Sequence, residues 1–346
     1  MPEPELCVAF ACDAEDSHPN YVPGWTKYGS NYEKNPAFVN WTWTKYWSDL
    51  SKLFRTRNVP VTWLMRVDDG PVYDHMLTRF KKKIFELKSI GDEIGIHIHT
   101  WSWNPELSKW VQTINHTDAA KIVTSSTAMF RKSLGFAPLS ANMGWHAMSN
   151  EIMRTLDANG LMVDVSAIPK NCSLGKFAKR DNIFDWSRAP TTLYNPSLAD
   201  YQSPGNMKIL EAPISSLPSN NSNRSSMLSN IVNKLSNRKS LNRLLPLARQ
   251  LNLTPHNNLY LTPWWSSSVY NKIIKAYCKM AHSEGTAFLI GSFHSSDILD
   301  PKTGNKNRIF EEYIKQVLNT ILSFESISVR FMKMSEIAKR FKEKAT

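Results

Sequence analysis

In the run Glu93-Ile94-Gly95-Ile96-His97-Ile98-His99, two histidines sit two residues apart at the end of an alternating apolar stretch. As a β-strand, the run sends Ile94, Ile96 and Ile98 to one face and Gly95, His97 and His99 to the other. Two imidazoles on one face can close on a single divalent cation, with zinc a good match for nitrogen donors. The competing reading is a pair of ordinary packed histidines. A metal held by two histidines and a carboxylate keeps positions open for water and substrate, so an acid must come from elsewhere. The best supplier is Asp13-Ala14-Glu15-Asp16, directly after the apolar run ELCVAFAC. Its alternative is a helix N-cap with acids in the first turn. A second carboxylate beside the water would act as general base. His294, in Ser292-Phe293-His294-Ser295-Ser296-Asp297, would be the acid that protonates a leaving group.

Positioning such groups requires a scaffold, and strand-like and helix-like segments alternate along the chain. Strand patterns fall at residues 5–12, 59–65, 93–99, 139–143, 161–165, 208–212, 259–261, 286–291 and 328–332. Helix patterns fall at 41–57, 73–89, 118–133, 150–158, 266–283, 309–324 and 335–343. This alternation predicts an α/β fold of parallel strands joined by crossover helices. No Gly-x-Gly-x-x-Gly turn follows any strand, which favours a barrel over an open doubly wound sheet. In barrels, chemistry collects at the C-terminal strand ends. Polar clusters follow strands here too: Asp13 to Asp16, Arg66 with Asp68 and Asp69, His97 and His99, Asn142 with Trp145 and His146, and His294.

A chain of 346 residues, 42% apolar and with 12 tryptophans, can bury a full core, and a single domain over 1–346 is expected. Two stretches break the rhythm: an aromatic, polar loop over 17–40, expected as a rim, and a basic helical insertion over 215–258. The net charge of +12 is local. Residues 212–283 hold nine of the 42 Lys and Arg and none of the 30 Asp and Glu. A solvated helical face and contact with an anionic membrane surface both fit this stretch; nucleic acid fits less well, since charges nearly balance elsewhere. No run is long enough to span a membrane, and the acidic start lacks the order of a signal peptide. The four cysteines have no CxxC spacing and do not outline a disulfide scaffold. The expected setting is cytoplasmic, within reach of the inner membrane face.

These residues carry a resemblance. Gly91-Asp92-Glu93-Ile94-Gly95-Ile96-His97 resembles the GHEIGNH signature of polysaccharide deacetylases, the NodB-homology or carbohydrate esterase family 4 domain. Val59-Pro60-Val61-Thr62-Trp63 is similar to that family's VPATFF strand, and Cys12 to Asp16 to its TxDxED motif. Residues 154–166 are similar to LLxxxGFxxDSS, and Ser292-Phe293-His294 to the final hxHxxD segment. The resemblance spans about residues 6–338. It implies a distorted (β/α)7-type barrel that uses a metal-activated water to remove N-acetyl groups from sugars, in envelope or exopolysaccharide synthesis. Carried over by position, Asp13 is the base, His294 the acid, and His97 the first metal histidine. Asp16 is the preferred metal carboxylate, with Glu15 the alternative, and Zn(2+) the expected ion. Trp101, Trp103, Trp145 and Tyr201 are candidates to stack on sugar rings, with Asn142 and Arg188 in the substrate site.

The chain also departs from that pattern. The second histidine is expected four residues after the first, where Trp101 stands, so His99 must substitute. The arginine expected after the fourth strand is Asn142, and Arg66 or Arg188 would have to supply the missing charge. Val67-Asp68-Asp69-Gly70-Pro71 mimics the family's FDDGP after the wrong strand; it reads mainly as a turn, with Asp69 a secondary candidate for the metal. Two alternatives to the sugar deacetylase stand: a catalytically inactive NodB-like glycan-binding protein, and a metal-dependent amidase of a non-sugar substrate.

Overall fold

The structure is a computed structural model that describes residues 3–14, 46–67, 75–104, 109–112, 116–172, 184–218, 258–263, 266–298 and 305–345. In chain order the elements are β1 (Glu5–Ala14), α1 (Trp47–Arg55), β2 (Thr62–Arg66), α2 (His75–Arg79), α3 (Lys81–Ser89), β3 (Glu93–Ile98), β4 (Trp101–Asn104), β5 (Lys109–Gln112), α4 (His116–Leu134) and β6 (Ser140–Met143). They continue with α5 (Asn150–Ala158), β7 (Val163–Asp164), β8 (Leu210–Glu211), β9 (Ser216–Pro218), β10 (Asn258–Tyr260), α6 (Ser267–Glu284), β11 (Thr286–His294), α7 (Arg308–Leu322), β12 (Ser328–Phe331) and α8 (Met334–Ala345).

One curled sheet in the order β11-β1-β2-β3-β6-β7-β8, all neighbours parallel, forms the frame. β1 is its spine. Along one edge it pairs with β11 from Glu5 to Asp13. Along the other it pairs first with β12 over Glu5 to Val8, then with β2 over Ala11 to Ala14. The sheet is not a closed ring among the described residues. The stretch after β8 bridges toward β11 instead: Ser215 N donates to Ile290 O at 3.0 Å, and Ile290 N donates to Ser215 Oγ at 2.8 Å. This is a distorted (β/α) barrel.

Strand alternation sorts the side chains. Leu6, Val8, Phe10, Cys12, Trp63, Met65, Ile94, Ile96 and Ile98 face the helices in the larger core. Cys7, Ala9, Ala11, Leu64, Val163, Leu210 and Ile290 face inward, with Met334, Ile337 and Ala338 of α8 packed among them. Small residues on the inner face of β1 leave room for that plug. Glu93 accepts from Ser140 Oγ and from Ser335 N at the start of α8, while Glu5 pairs with Arg340 at 2.8 Å and Arg330 at 3.2 Å. The barrel is therefore sealed at the strands' N-terminal ends. Gly95 marks the tightest spot on the inner face, where a Cβ would meet Ser140 O at 2.6 Å and Leu64 Cδ2 at 2.7 Å.

Several expectations need correction. The strand expected near 259–261 is β10, which pairs antiparallel with β9 outside the main sheet. The helix expected over 73–89 is two, α2 and α3, separated at Phe80. A β4–β5 hairpin follows the histidine strand, where no strand was expected. The rim loop over 17–40, residues 219–257 of the insertion expected over 215–258, and Glu15, Asp16, Asp68 and Asp69 lie outside the described residues, and the insertion's described ends belong to the strands β9 and β10. Among the described residues, no helix is long and apolar enough to cross a membrane.

Candidate active site

The inward-facing positions that sit below as apolar residues become polar at the strands' C-terminal ends. Asp13 of β1 is in register with His294 of β11, and His97 of β3 with Arg66 of β2 and Asn142 of β6. Parallel register places aligned residues on the same face, so these five side chains share one end of the barrel interior.

Asp13 is the hub and only 4% exposed. The Asn142 amide nitrogen donates to both of its oxygens, at 3.0 and 3.2 Å. A carboxylate only accepts, so the amide must present its nitrogen. That leaves Asn142 Oδ1 buried without a hydrogen-bond partner among the described residues. His97 Nδ1 lies 3.7 Å from one Asp13 oxygen and His294 Nε2 3.7 Å from the other. His294 is the more open imidazole, with its side chain 22% exposed. Asp297 sits behind it: its carboxylate accepts from the His294 backbone N–H at 2.8 Å and lies 3.8 Å from Nδ1. Asp297 was not singled out by the sequence reading, although its place three residues after His294 was a usable signal.

His97 and His99 bring their Nε2 atoms to 3.2 Å from each other, with ring planes at 85°. His99 is held by what packs on it. A Cβ at Gly144 would fall 2.2 Å from His99 Nδ1, so only glycine lets the chain after β6 approach the ring. The Trp145 ring meets His99 edge-on at 5.9 Å. Trp145 and His146 both adopt left-handed backbone, with φ of 55° and 59°. Such strain in consecutive non-glycine residues persists only where surroundings enforce it. Here Ser166 O meets His146 Nδ1 at 3.0 Å, and Trp186 Nε1 donates to His146 O at 3.1 Å.

Two convergent imidazole nitrogens suit a divalent cation, and His97 and His99 fit that role. Among the described residues, no group of three His, Cys, Asp or Glu completes a site. The expected carboxylate donors, Glu15 and Asp16, lie outside the described residues.

Other expectations fare differently. Arg66 is buried on the inner face in register with His97. Arg188 was offered as a substitute charge and substrate contact, but it pairs with Asp200 at 3.0 Å. Tyr201 was expected to stack on sugar; instead it is buried, its ring edge against Trp186 and its hydroxyl donating to Asp185 O at 2.6 Å. A buried ring with its hydroxyl engaged is core. Asn142, expected in the substrate site, uses its amide nitrogen to hold Asp13. Trp101 and Trp103 lie on β4, and their side chains are outside the described residues.

No family model matches the sequence, and no curated protein matches it. Solved structures do. A protein provisionally named a polysaccharide deacetylase, from Mycobacterium smegmatis, superposes with a TM-score of 0.56 at 13% identity, covering 100% of this chain and 92% of that one. A second, provisionally named a polysaccharide deacetylase from Pseudomonas aeruginosa PAO1, gives 0.54 at 12% identity over 98% and 91% of the two chains. At such identities the likeness speaks for architecture alone, and the architecture of this chain is the NodB-homology fold, the one shared with those two proteins.

Proposed function

We propose that this protein is a metal-dependent hydrolase that removes an N-acetyl group from a sugar. The observation that carries the reading is Asp13 at the strand ends, gripped by Asn142 and flanked by His97 on one side and His294 on the other. In this reading Asp13 takes a proton from the attacking water as its oxygen bonds to the acetyl carbon. The carbon–nitrogen bond then breaks, and His294 delivers a proton to the departing amine, giving acetate and a free amino sugar. Asn142 keeps the Asp13 carboxylate turned toward the water, and Asp297 keeps His294 oriented. His97 and His99, with Asp16 or Glu15, would hold a divalent metal, Zn(2+) in the first instance. Such an ion, when bound, polarises the acetyl carbonyl and acidifies water. Trp145, beside His99, is the aromatic best placed to meet a sugar ring. The basic stretch over 212–283 supports peripheral contact with an anionic membrane, and hence a cytoplasmic step of envelope or exopolysaccharide synthesis.

The test is acetate release from chitooligosaccharides, UDP-N-acetylhexosamines and lipid-linked sugars after loading with zinc or cobalt. Release from N-acetylated peptides or simple amides alone would favour a non-sugar amidase. One observation favours a second reading, a glycan-binding protein without turnover: a neutral amide, Asn142, serves Asp13 where the family pattern has an arginine. Substoichiometric metal after loading, with glycan binding retained, would select that reading.

A further inference from the structure

On the opposite face of the sheet from Asp13, the helix-facing one, lies a pair of acids the reaction does not use. Asp164 and Glu211 are register partners on β7 and β8 and both are fully buried. Parallel register puts both carboxyls on one face of neighbouring strands, away from water, where two bare negative charges repel, so one of them carries a proton. The surrounding donors say which. Asp164 accepts from Ser166 Oγ at 2.9 Å and from Ser166 N at 3.2 Å, as an anion should. Glu211 Oε1 accepts from Ala167 N at 3.0 Å, while Oε2 is buried and receives no donor among the described residues. Asp164, with the more donors, is the better place for the charge, and Glu211 for the proton.

The groups around the pair offer no relief from this arrangement. Tyr194 lies beside both acids, its hydroxyl donating to Tyr201 O, with Asp200 and its partner Arg188 beyond. Asp157 of α5 accepts from Ile209 N at 2.7 Å, and His146 reaches Ser166 O. Burial and the Asp164 charge push Glu211 well above the usual carboxylate range. Burial raises Asp164 as well, to about 6.

Ser166 links this pair to the site. Its hydroxyl hydrogen goes to Asp164, which leaves a lone pair for the Met143 N–H at 2.8 Å, and its carbonyl meets His146 at 3.0 Å. One serine thus spans the turn that carries Asn142, Gly144 and Trp145. We propose that Asp164 and Glu211 form a proton-sharing positioning unit, in which Glu211 donates to Asp164 and the Asp164 carboxylate, through Ser166, fixes the turn that holds Asn142 on Asp13. What the turn does rests on the deacetylase reading; the clamp itself does not.

The test uses the whole protein and no turnover. Infrared spectroscopy at neutral pH should show the carbonyl band of a buried neutral carboxyl in the wild type and lose it in Glu211→Gln, whose amide still donates to Asp164. In the wild type and in Glu211→Gln, the Met143 and His146 amide resonances should shift in one step with the Asp164 titration. Asp164→Asn should abolish the step. Absence of the neutral-carboxyl band in the wild type, or a Met143 resonance that stays put while Asp164 titrates, would overturn the proposal. Both of those measurements are on the wild type, so they decide even where a variant fails to fold. Failure here leaves acetate release untouched, and the reverse also holds.

Discussion

In the proposed reaction Asp13 carries the greatest weight of any single residue, and its surroundings say how it should respond to change. Replacing it by asparagine keeps the shape but removes the proton acceptor. Asp13→Asn should lose about 10²–10⁴ in kcat while retaining bound metal, measured by acetate release and metal analysis of one sample. His97→Ala should lose both together. Asn142→Ala removes hydrogen bonds to a charged group, about 1.5–3 kcal/mol, so kcat should fall roughly 10–100-fold with KM little changed. An unchanged kcat would show that Asn142 does not orient the base. Strand parity within one run places His97 and His99 on a shared face, whereas the meeting of Asp13 with His294 depends on a register that the sequence does not display. Asp297, Ser166 and Gly144 were not legible either, since their roles depend on turns that no periodicity describes. Arg188 and Tyr201 misled because an ion-paired arginine and a packed tyrosine look, in sequence, like sugar-binding ones.

At the scale of elements, two glycines set how closely strands and turns approach. Gly95 lets β3 lie against Ser140 and Leu64, and Gly144 lets the turn after β6 lie against His99. Gly95→Ala meets backbone at 2.6 Å and should cost about 1–3 kcal/mol of stability, read as a lower Tm. Gly144→Ala meets the His99 ring, so its first symptom should be weakened zinc affinity, by isothermal titration, before any loss of fold. If zinc affinity held while Tm dropped, the turn would be structural and no more. The order of strands and helices was legible because buried parallel strands and crossover helices have distinct periods. The β4–β5 hairpin was not, because Trp101 and Trp103 read as site residues instead of a strand. The placement of β10 was also hidden: an apolar triplet does not disclose its partner.

Across the whole molecule, the buried acids pull pH dependence in opposite directions. For Glu5, burial raises the pKa but Arg340 and Arg330 outweigh it, and the net shift is down. Its stabilisation is therefore present at neutral pH and lost as pH falls through its lowered folded value. Asp164 is raised from 3.8 to about 6, so its contribution is present below its ordinary value and lost as pH rises toward about 6. Asp164→Asn removes that titration, so its stability should change less than the wild type's between acid and neutral pH, seen in denaturant unfolding at both pH values. An equal change in the two proteins would refute the buried charge. The first strand is the spine of the main sheet. β1 is ten residues of buried, largely apolar chain, and one whole edge plus half the other is covered by β11 and β12, formed from residues 286 onward. A ribosome releases those partners some 270 residues or more after β1. Until they emerge, the nascent protein displays an unpaired, sticky template, so its synthesis should lean on chaperones. A polypeptide terminated before residue 286 should accumulate as aggregate instead of a smaller soluble globule.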